Sequence, residues 1–211
     1  SYITVEPDDY DPEHHYPLIA LLHGFGANMH DLKGLAFEIN RSDYIYAFPN
    51  APLAFDLGFG QIGYAWTPLK AGIGDEESIK AEQLIDGFIG EVVTQYGIDD
   101  GKVILGGFSQ GGGMTYKYGL PRPDAVAGLA CLSCYLPEPR VLIDRIPSQR
   151  IQPIFVSHGI YDEVVAVDSA RHTKGFLLEL GYNLDYHEYP IGHAISAQVI
   201  DDLILWIKRV I

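Results

Sequence analysis

Apolar and polar residues follow each other along this chain in two kinds of block. Short uninterrupted apolar runs are typical of strands buried in a parallel sheet, and apolar residues that recur every three or four positions are typical of amphipathic helices. Strands are predicted at residues 1–5, 18–22, 44–48, 103–105, 125–132, 153–157 and 184–189. Helices are predicted at residues 30–39, 75–96, 168–180 and 195–210, with one more beginning near residue 114.

This order of strands and helices predicts an α/β fold with a mostly parallel central sheet and helices on both faces. The chain has 211 residues, which suits one such domain with a sizeable core. No internal repeat and no low-complexity segment divides it. We therefore expect a single domain over residues 1–211.

Residues 50–74 show no clear hydrophobic period and contain prolines, glycines and several aromatic residues. A loop of this length in a compact domain is usually functional or disordered, and its aromatic content argues against disorder. The segment is therefore predicted to be a functional loop. Residues 133–152, which contain three prolines, are also predicted to be mostly loop.

Residues 107–111 read Gly-Phe-Ser-Gln-Gly and fit the pattern G-x-S-x-G. A serine on a very tight turn between a strand and a helix has strained backbone angles, and the glycines are needed because side chains there would collide with backbone. Such a turn exposes the hydroxyl at a helix N-terminus, where free N–H groups favour negative charge. The alternative is an ordinary glycine-rich loop, but the strand before Ser109 and the helix after it favour a nucleophile.

Acidic residues outnumber basic ones by 28 to 14, which gives a formal net charge of −14 at pH 7. This excess argues against nucleic acid or an anionic membrane as a partner, because both are polyanions. No run of 18 or more apolar residues occurs, so no stable membrane insertion is expected. Cys131 and Cys134 have C-x-x-C spacing, but no second pair completes a zinc site, and we interpret them as packed thiols.

Four predicted strand ends carry residues suited to chemistry: residues 23–28, Ser109, Asp162 and His193. In an open parallel sheet, ligands bind beyond the carboxyl ends of the strands. The chain order Ser, Asp, His is the one expected for an α/β-hydrolase arrangement. His193 can take the proton of Ser109, and Asp162 can hold the imidazole in the useful tautomer. We predict a catalytic triad of these three residues.

Other residues compete with these assignments. Glu163 and Asp168 are alternatives to Asp162, which lies nearer the strand end. His23 and His158 are interpreted as bracing their loops, and a metal site made of these two and the triad histidine lacks zinc-ligand spacing. No metal and no cofactor is therefore predicted.

An oxyanion hole needs two backbone donors. One is expected to be the N–H of Gln110, the residue after the nucleophile. The other is expected from the loop after the first buried strand, at the N–H of Phe25.

Several motifs in this order make the chain similar to the phospholipase/carboxylesterase family of small α/β hydrolases, which includes bacterial carboxylesterases and acyl-protein thioesterases. The matching segments are residues 22–26, 107–112, 132–137, 158–165 and 192–196, and the resemblance covers nearly the whole chain from about Pro17 onward. It implies the α/β-hydrolase fold without a separate cap domain, the triad and oxyanion hole given above, and no metal. Cys134 and Ala194 stand where the family usually has glycine and glutamate, so the shape or polarity of the pocket is expected to differ.

An apolar pocket wall is predicted from residues in or near these segments: Phe25, Phe55, Leu57, Phe59, Tyr64, Trp66, Leu136 and Val164. Core packing is the alternative for each of these side chains. An apolar wall without a lid suits uncharged esters, so we expect a serine carboxylesterase for short- to medium-chain esters that acts through an acyl-enzyme. The alternatives are an acyl thioesterase or lysophospholipase with the same triad, and a non-catalytic binding protein of the same fold.

The expected partner is a small-molecule ester, and a homodimer stays open. So few cysteines favour a protein that does not depend on disulfides, and a cytoplasmic location is expected. A removed leader is the alternative, because the chain opens at Ser1.

Overall fold

The computed structural model describes residues 1–69, 76–136 and 138–211. Its strands are Tyr2–Val5 (β1), Leu18–Leu22 (β2), Ile45–Pro49 (β3), Leu53–Gly58 (β4), Gln61–Ala65 (β5), Val103–Phe108 (β6), Gly128–Leu132 (β7), Ile154–Gly159 (β8) and Leu184–Tyr189 (β9). Its α-helices are Gly34–Ile39 (α1), Glu76–Tyr96 (α2), Gln110–Gly119 (α3), Val167–Glu179 (α4) and Ala197–Val210 (α5), and Pro139–Arg145 forms a 3₁₀ helix.

Seven of these strands form one sheet in the order β1-β3-β2-β6-β7-β8-β9. Strand β1 pairs antiparallel with β3, and the other neighbouring pairs are parallel. Every residue of β2, β3, β7 and β8 is buried, as the uninterrupted apolar runs predict. The parallel order brings the carboxyl ends of β6, β7, β8 and β9 to the same edge of the sheet.

Helices cover both faces of the sheet, as predicted. Along β2, Leu18 and Leu22 pack in one hydrophobic core with side chains of α2, α3 and α4. Ile19 and Leu21, which alternate with them, pack in a second core with side chains of α1 and α5. Two cores result because successive side chains of a strand point to opposite faces. No helix in the described ranges is both long and apolar enough to cross a bilayer.

The prediction of a loop without secondary structure at residues 50–74 is wrong for residues 53–65. Strands β4 and β5 pair there as an antiparallel hairpin outside the main sheet. Three residues in succession at its tip have positive φ: Gly58 at 92°, Phe59 at 54° and Gly60 at 78°. Much of β4 and β5 is exposed, so no buried apolar run marked these strands. Residues 70–74 of the predicted loop lie outside the described residues.

Smaller differences concern where elements begin. Helix α1 begins at Gly34 rather than at residue 30, and α3 begins at Gln110 rather than near residue 114. Helix α2 is described from Glu76, and the predicted start at Asp75 lies outside the described residues. The early start of α3 places Ser109 directly at a helix N-terminus.

Candidate active site

Ser109 is the single residue between β6 and α3, and it has φ 55° and ψ −118°. These angles lie outside the regions that side-chain-bearing residues normally occupy. The Ser109 N–H donates to the carbonyl oxygen of Leu132 on β7 at 2.9 Å, and the Ser109 carbonyl accepts from the N–H of Gly113 at 3.1 Å. The neighbouring strand and the first turn of α3 thus hold the strained residue in place.

The glycines around Ser109 are required by backbone crowding. A Cβ at Gly107 would lie 2.4 Å from the carbonyl carbon of Gly111, and a Cβ at Gly111 would lie 2.1 Å from the carbonyl oxygen of Leu22. A Cβ at Gly112 would lie 2.5 Å from the sulfur of Cys134. We call residues 107–112 the elbow. Its sequence lets α3 pack directly against the ends of β2 and β7.

The structure brings the three residues of the predicted triad together. His193 Nε2 lies 2.9 Å from Ser109 Oγ, and His193 Nδ1 lies 2.7 Å from Asp162 Oδ2. Asp162 follows β8 and His193 follows β9, so neighbouring strands deliver both side chains. In this chain of hydrogen bonds Nδ1–H donates to the carboxylate, and Nε2 is left to accept from the serine hydroxyl.

Asp162 is fully shielded from solvent and every described partner favours its ionised form. Burial raises its pKa, but hydrogen bonds from His193 and from the N–H groups of Val165 and Val164 outweigh this and leave the pKa lowered. The two backbone N–H groups donate to Oδ1 at 2.8 and 2.9 Å. Because Oδ1 is held by backbone, Oδ2 is directed to the imidazole.

His158 braces the Asp162 loop, as predicted from its position. It is fully buried, and its Nε2–H donates to the carbonyl of Val165 at 2.8 Å and lies 3.4 Å from Asp162 Oδ2. The competing carboxylates lie elsewhere: Glu163 is exposed, and Asp168 pairs with Arg171 at 2.9 Å. Asp162 is therefore the carboxylate that orients the imidazole.

His23 also braces a loop, the segment of residues 23–27 after β2. Its Nε2 accepts from the N–H of Ala51 at 3.1 Å, so the proton resides on Nδ1, which donates to the carbonyl of Gly24 at 2.7 Å. Burial lowers the pKa of His23 and keeps the ring neutral. The indole Nε1–H of Trp66 donates to the His23 carbonyl at 2.9 Å. His23 therefore fixes the 23–27 loop and does not face Ser109.

The predicted oxyanion donors lie on two segments that meet at Ser109. Gln110 is the first residue of α3, so its N–H has no acceptor within the helix. Phe25 lies in the 23–27 loop, and a Cβ built on the preceding Gly24 would lie 3.5 Å from the Cβ of Ser109. The N–H of Gly26 donates to the carbonyl oxygen of Tyr64 on β5 at 2.9 Å. The loop is thus fixed beside Ser109.

The side chain of Gln110 has a role that the sequence did not reveal. Its Oε1 accepts from the N–H of Trp66 at 2.9 Å, and its Nε2 donates to the carbonyl of Thr67 at 2.7 Å. The first residue of α3 is therefore fastened to the chain that leaves the hairpin. The contact requires only a glutamine at position 110, so no local sequence pattern indicates it.

A cavity of about 560 Å³ opens beside Ser109 and His193. The residues that line it come from the chain between β2 and α1, the segment after β5, the end of β6 with one side of α3, and the loops after β7, β8 and β9: Gly24, Phe25, Ala27, Asp31, Thr67, Pro68, Leu69, Phe108, Ser109, Gln110, Gly113, Met114, Lys117, Cys134, Tyr135, Val164, Val165 and His193. Of the eight residues predicted as the wall, Phe25 and Val164 are among them.

The other six predicted wall residues lie elsewhere. Trp66 is fully buried and Leu136 is 3% exposed, so both belong to the core. Tyr64 packs against the same core, while the ring of Phe55 lies tilted against that of Phe25, with 5.2 Å between the ring centroids. Leu57 and Phe59 are exposed on the hairpin. These predictions are corrected because the four hairpin residues face the core, the 23–27 loop or solvent rather than the cavity, and the other two are buried in the core.

Neither cysteine is poised for chemistry. Both are free and buried, and burial raises the pKa of the Cys131 thiol. Among residues 1–69, 76–136 and 138–211, no group of three or more His, Cys, Asp or Glu side chains is arranged to hold a metal ion. His23, His158 and His193, which were considered for such a site, each make separate hydrogen bonds, given above.

Comparison with known proteins identifies the family. A family model described as phospholipase/carboxylesterase matches residues 9–211. The chain belongs to the phospholipase/carboxylesterase family. Among its relatives, a probable carboxylesterase of Oryza sativa subsp. japonica is 32% identical over 174 residues, which are 78% of this chain and 65% of the plant protein. The chain thus spans less than two thirds of that relative.

Two further similarities cover more of both chains. Acyl-protein thioesterase 1 of Mycosarcoma maydis is 30% identical over 217 residues, covering 90% of this chain and 89% of the fungal protein. The crystal structure of esterase PE8 aligns with a TM-score of 0.85 and 26% identity, covering 100% of this chain and 99% of that one. The fold is therefore that of the α/β hydrolases.

The two departures from the phospholipase/carboxylesterase pattern lie near the cavity in different ways. Cys134 lines the cavity, and its sulfur closes the space in front of Gly112. Ala194 follows His193 and is exposed, and its N–H donates to the carbonyl of Gly192 at 3.0 Å. The cysteine therefore changes the shape of the cavity wall, whereas the alanine leaves the triad contacts intact.

Proposed function

We propose that this protein is a serine carboxylesterase that hydrolyses short- to medium-chain carboxylic esters through an acyl-enzyme. The observation that carries the proposal is the continuous chain of hydrogen bonds from Ser109 through His193 to Asp162 at the floor of an open cavity. A free serine is a poor nucleophile at neutral pH, and this chain supplies the base and the group that orients it. Residues 1–211 act as one catalytic domain in this proposal.

The first half of the reaction forms the acyl-enzyme. Ser109 Oγ attacks the ester carbonyl while His193 Nε2 takes its proton, and Asp162 stabilises the imidazolium that results. The carbonyl oxygen gains negative charge, which the N–H groups of Phe25 and Gln110 stabilise. The intermediate then expels the alkoxide, which takes the proton from His193 and leaves as the alcohol.

The second half releases the acid. His193 takes a proton from water as the water oxygen attacks the acyl carbonyl, and the same two N–H groups stabilise the second intermediate. This intermediate expels Ser109 Oγ, which recovers its proton from His193. No metal or cofactor takes part in either half.

The cavity supports an uncharged acyl group of limited length. Gln110, Gly113, Met114 and Lys117 line it along one side of α3, and the eight residue steps from Ser109 to Lys117 span roughly 12 Å at 1.5 Å per residue. A series of p-nitrophenyl esters tests this length. We expect kcat/KM to peak at short to medium chains, and a peak above about ten carbons would contradict the proposal, since such chains outrun this side of α3.

A fluorophosphonate probe tests the nucleophile. We expect one adduct per chain on Ser109 in the wild type and none in Ser109→Ala, with ester turnover lowered by a factor on the order of 10⁴ to 10⁶. Ser148→Ala, at an exposed serine outside the cavity, is the matched control and should label fully. Unlabelled wild-type protein would instead support a non-catalytic binding protein of the same fold.

Thioester hydrolysis is the second candidate, because an acyl-protein thioesterase is 30% identical to this chain over 90% of its length. The same three side chains can attack a thioester. Side-by-side kcat/KM values on an ester, a thioester and a lysophospholipid with matched acyl chains separate the activities. A thioester value well above the ester value would favour this second candidate.

A further inference from the structure

A second cleft, of about 470 Å³, lies at the edge of the sheet opposite Ser109. Ile154 and Leu184, which begin β8 and β9, line it, whereas the triad residues follow strand ends. The other lining residues come from the same edge and from the end of α5: Arg150, Ile151, Gln152, Pro153, Asn183, Asp185, Trp206, Arg209 and Val210. The reaction proposed at Ser109 makes no use of this cleft.

The charge of this cleft is opposite to that of the protein. Two arginines and one aspartate line it, whereas the whole chain has a net charge of −14. Arg209 pairs with Asp185, which also accepts from His187 at 2.6 Å, so the charge of Arg209 is compensated. Within the described part of the chain, no carboxylate lies within ion-pair distance of Arg150. Its guanidinium lies over the ring of Tyr182 at 5.8 Å.

Hydrogen bonding at Arg150 is also incomplete. Its Nε and Nη1 atoms are shielded from solvent and have no acceptor among the described residues. Nearby, Gln152 is buried, its Nε2 donates to the carbonyl of Val126 at 2.7 Å, and its Oε1 has no donor among those residues. Guanidinium N–H groups without an acceptor are costly, and part of the half-buried Arg150 side chain lines the cleft, so an anionic oxygen that binds there would stabilise the folded protein.

The cleft also offers some exposed apolar surface. Among its lining residues, Ile151 is 78% exposed, and Leu184 and Val210 are half-buried. A bare inorganic ion would leave these surfaces in contact with water, whereas an organic acid would cover them. We propose that this cleft binds a small monocarboxylate, with the carboxylate on the guanidinium of Arg150 and the apolar part against Ile151, Leu184 and Val210, beside Trp206.

The two tryptophans of the chain allow a direct test. Trp206 lines the second cleft, and Trp66 lies buried under the 23–27 loop beside the proposed active site. Uniformly ¹⁵N-labelled protein is titrated with sodium hexanoate, sodium benzoate and, separately, inorganic phosphate, and the indole N–H resonances are followed. Trp206→Phe assigns the resonances. Protein with Ser109→Ala is used, so that binding is read without turnover.

We expect hexanoate and benzoate to shift the Trp206 indole resonance saturably, independently of any shift at Trp66. Arg150→Met keeps the aliphatic stem but removes the charge, and it should weaken binding on the order of tenfold or more, because charge-assisted hydrogen bonds are lost. Arg150→Lys restores the charge without the planar group and should recover part of the affinity. Arg140→Met, at an exposed arginine outside both cavities, should bind as the parent protein does.

Three outcomes overturn the proposal. A Trp206 resonance that does not move saturably with either acid excludes the site. Equal affinity in Arg150→Met and Arg140→Met shows that Arg150 does not hold the anion. Phosphate binding that matches or exceeds the carboxylates, with the same dependence on Arg150, excludes the proposed ligand class. None of these outcomes bears on the activity of Ser109.

Discussion

Two residues in this protein have nearly the same unusual backbone angle in opposite surroundings. Ser109 has φ 55° and Phe59, at the tip of the β4–β5 hairpin, has φ 54°. Around Ser109 the glycines of the elbow touch neighbouring backbone, whereas a Cβ at Gly58 or Gly60, on either side of Phe59, would meet no atom within 4 Å. The elbow is strained because packing demands it, and the hairpin tip is strained because a short turn must close.

The structure around Ser109 holds its strained backbone in place, and the structure around Phe59 does not. In the elbow, hydrogen bonds to Leu132 and Gly113 hold the strained Ser109, and its hydroxyl lies within hydrogen-bond distance of His193. At the hairpin tip the side chain of Phe59 is fully exposed. Strain that the surrounding structure enforces points to function, and strain at an open turn does not.

Asp162→Asn should have the largest effect, since the elbow presents Ser109 to a histidine that Asp162 orients. We expect kcat on a p-nitrophenyl ester to fall by about 10⁴, because the amide no longer favours the tautomer with a free Nε2. Circular dichroism should show the same secondary structure. A loss of less than about tenfold would mean that Asp162 does not orient the base.

The same substitution gives a pH dependence with a fixed sign. Hydrogen bonds lower the pKa of Asp162 in the folded protein, so its carboxylate stabilises the fold above its unfolded pKa of about 3.9 and this contribution is lost as the pH falls through the lowered value. The difference in unfolding free energy between wild type and Asp162→Asn should therefore be largest near neutral pH and shrink in acid. Urea unfolding at several pH values measures it.

Gly111→Ala should disrupt the elbow. The new Cβ would lie 2.1 Å from the carbonyl oxygen of Leu22, so β2 and α3 must separate, and we expect a loss of more than about 3 kcal/mol in unfolding free energy. Gly90→Ala is the matched control on α2, where nothing lies within 4 Å, and it should stabilise by about 0.5 to 1 kcal/mol. Equal unfolding free energies of Gly111→Ala and Gly90→Ala in urea would show that backbone crowding does not require glycine at position 111.

Gly63→Ala should affect activity more than stability. A Cβ at Gly63 would lie 2.6 Å from the carbonyl oxygen of Gly26, so the hairpin would push the 23–27 loop that carries one proposed oxyanion donor. We expect kcat to fall by roughly 10- to 100-fold, since misplaced donors stabilise the transition state less well. KM for a short ester should change little. Unchanged kcat would show that the hairpin does not position this loop.

Phe59→Asn should have the smallest effect. Asparagine tolerates positive φ, and the lost aromatic ring is fully exposed, so the unfolding free energy should change by less than about 0.5 kcal/mol. Turnover of a water-soluble short ester should stay within about twofold of wild type, since Phe59 does not line the cavity. A loss comparable to that of Gly63→Ala would place the hairpin tip at the site.

Sequence reasoning worked best where the requirement was local. The apolar run at β2, the glycines of the elbow and the order of Ser109, Asp162 and His193 all follow from patterns within a few residues or from chain order. It worked less well for the hairpin, whose half-exposed strands carry no buried run. It also missed the Gln110 side-chain contacts, because their partners lie more than 40 residues away.

The parallel sheet, the sharp turn at Ser109 and the residues at each strand end follow from short segments of the chain, since burial and backbone crowding act locally. Which aromatic side chains face the cavity depends on how distant segments pack together. Trp66 and Phe25 are both aromatic residues of predicted loops and look equally suited to a pocket in the sequence. One packs under the 23–27 loop and the other lines the cavity, because the hairpin folds back onto that loop and occupies its far side.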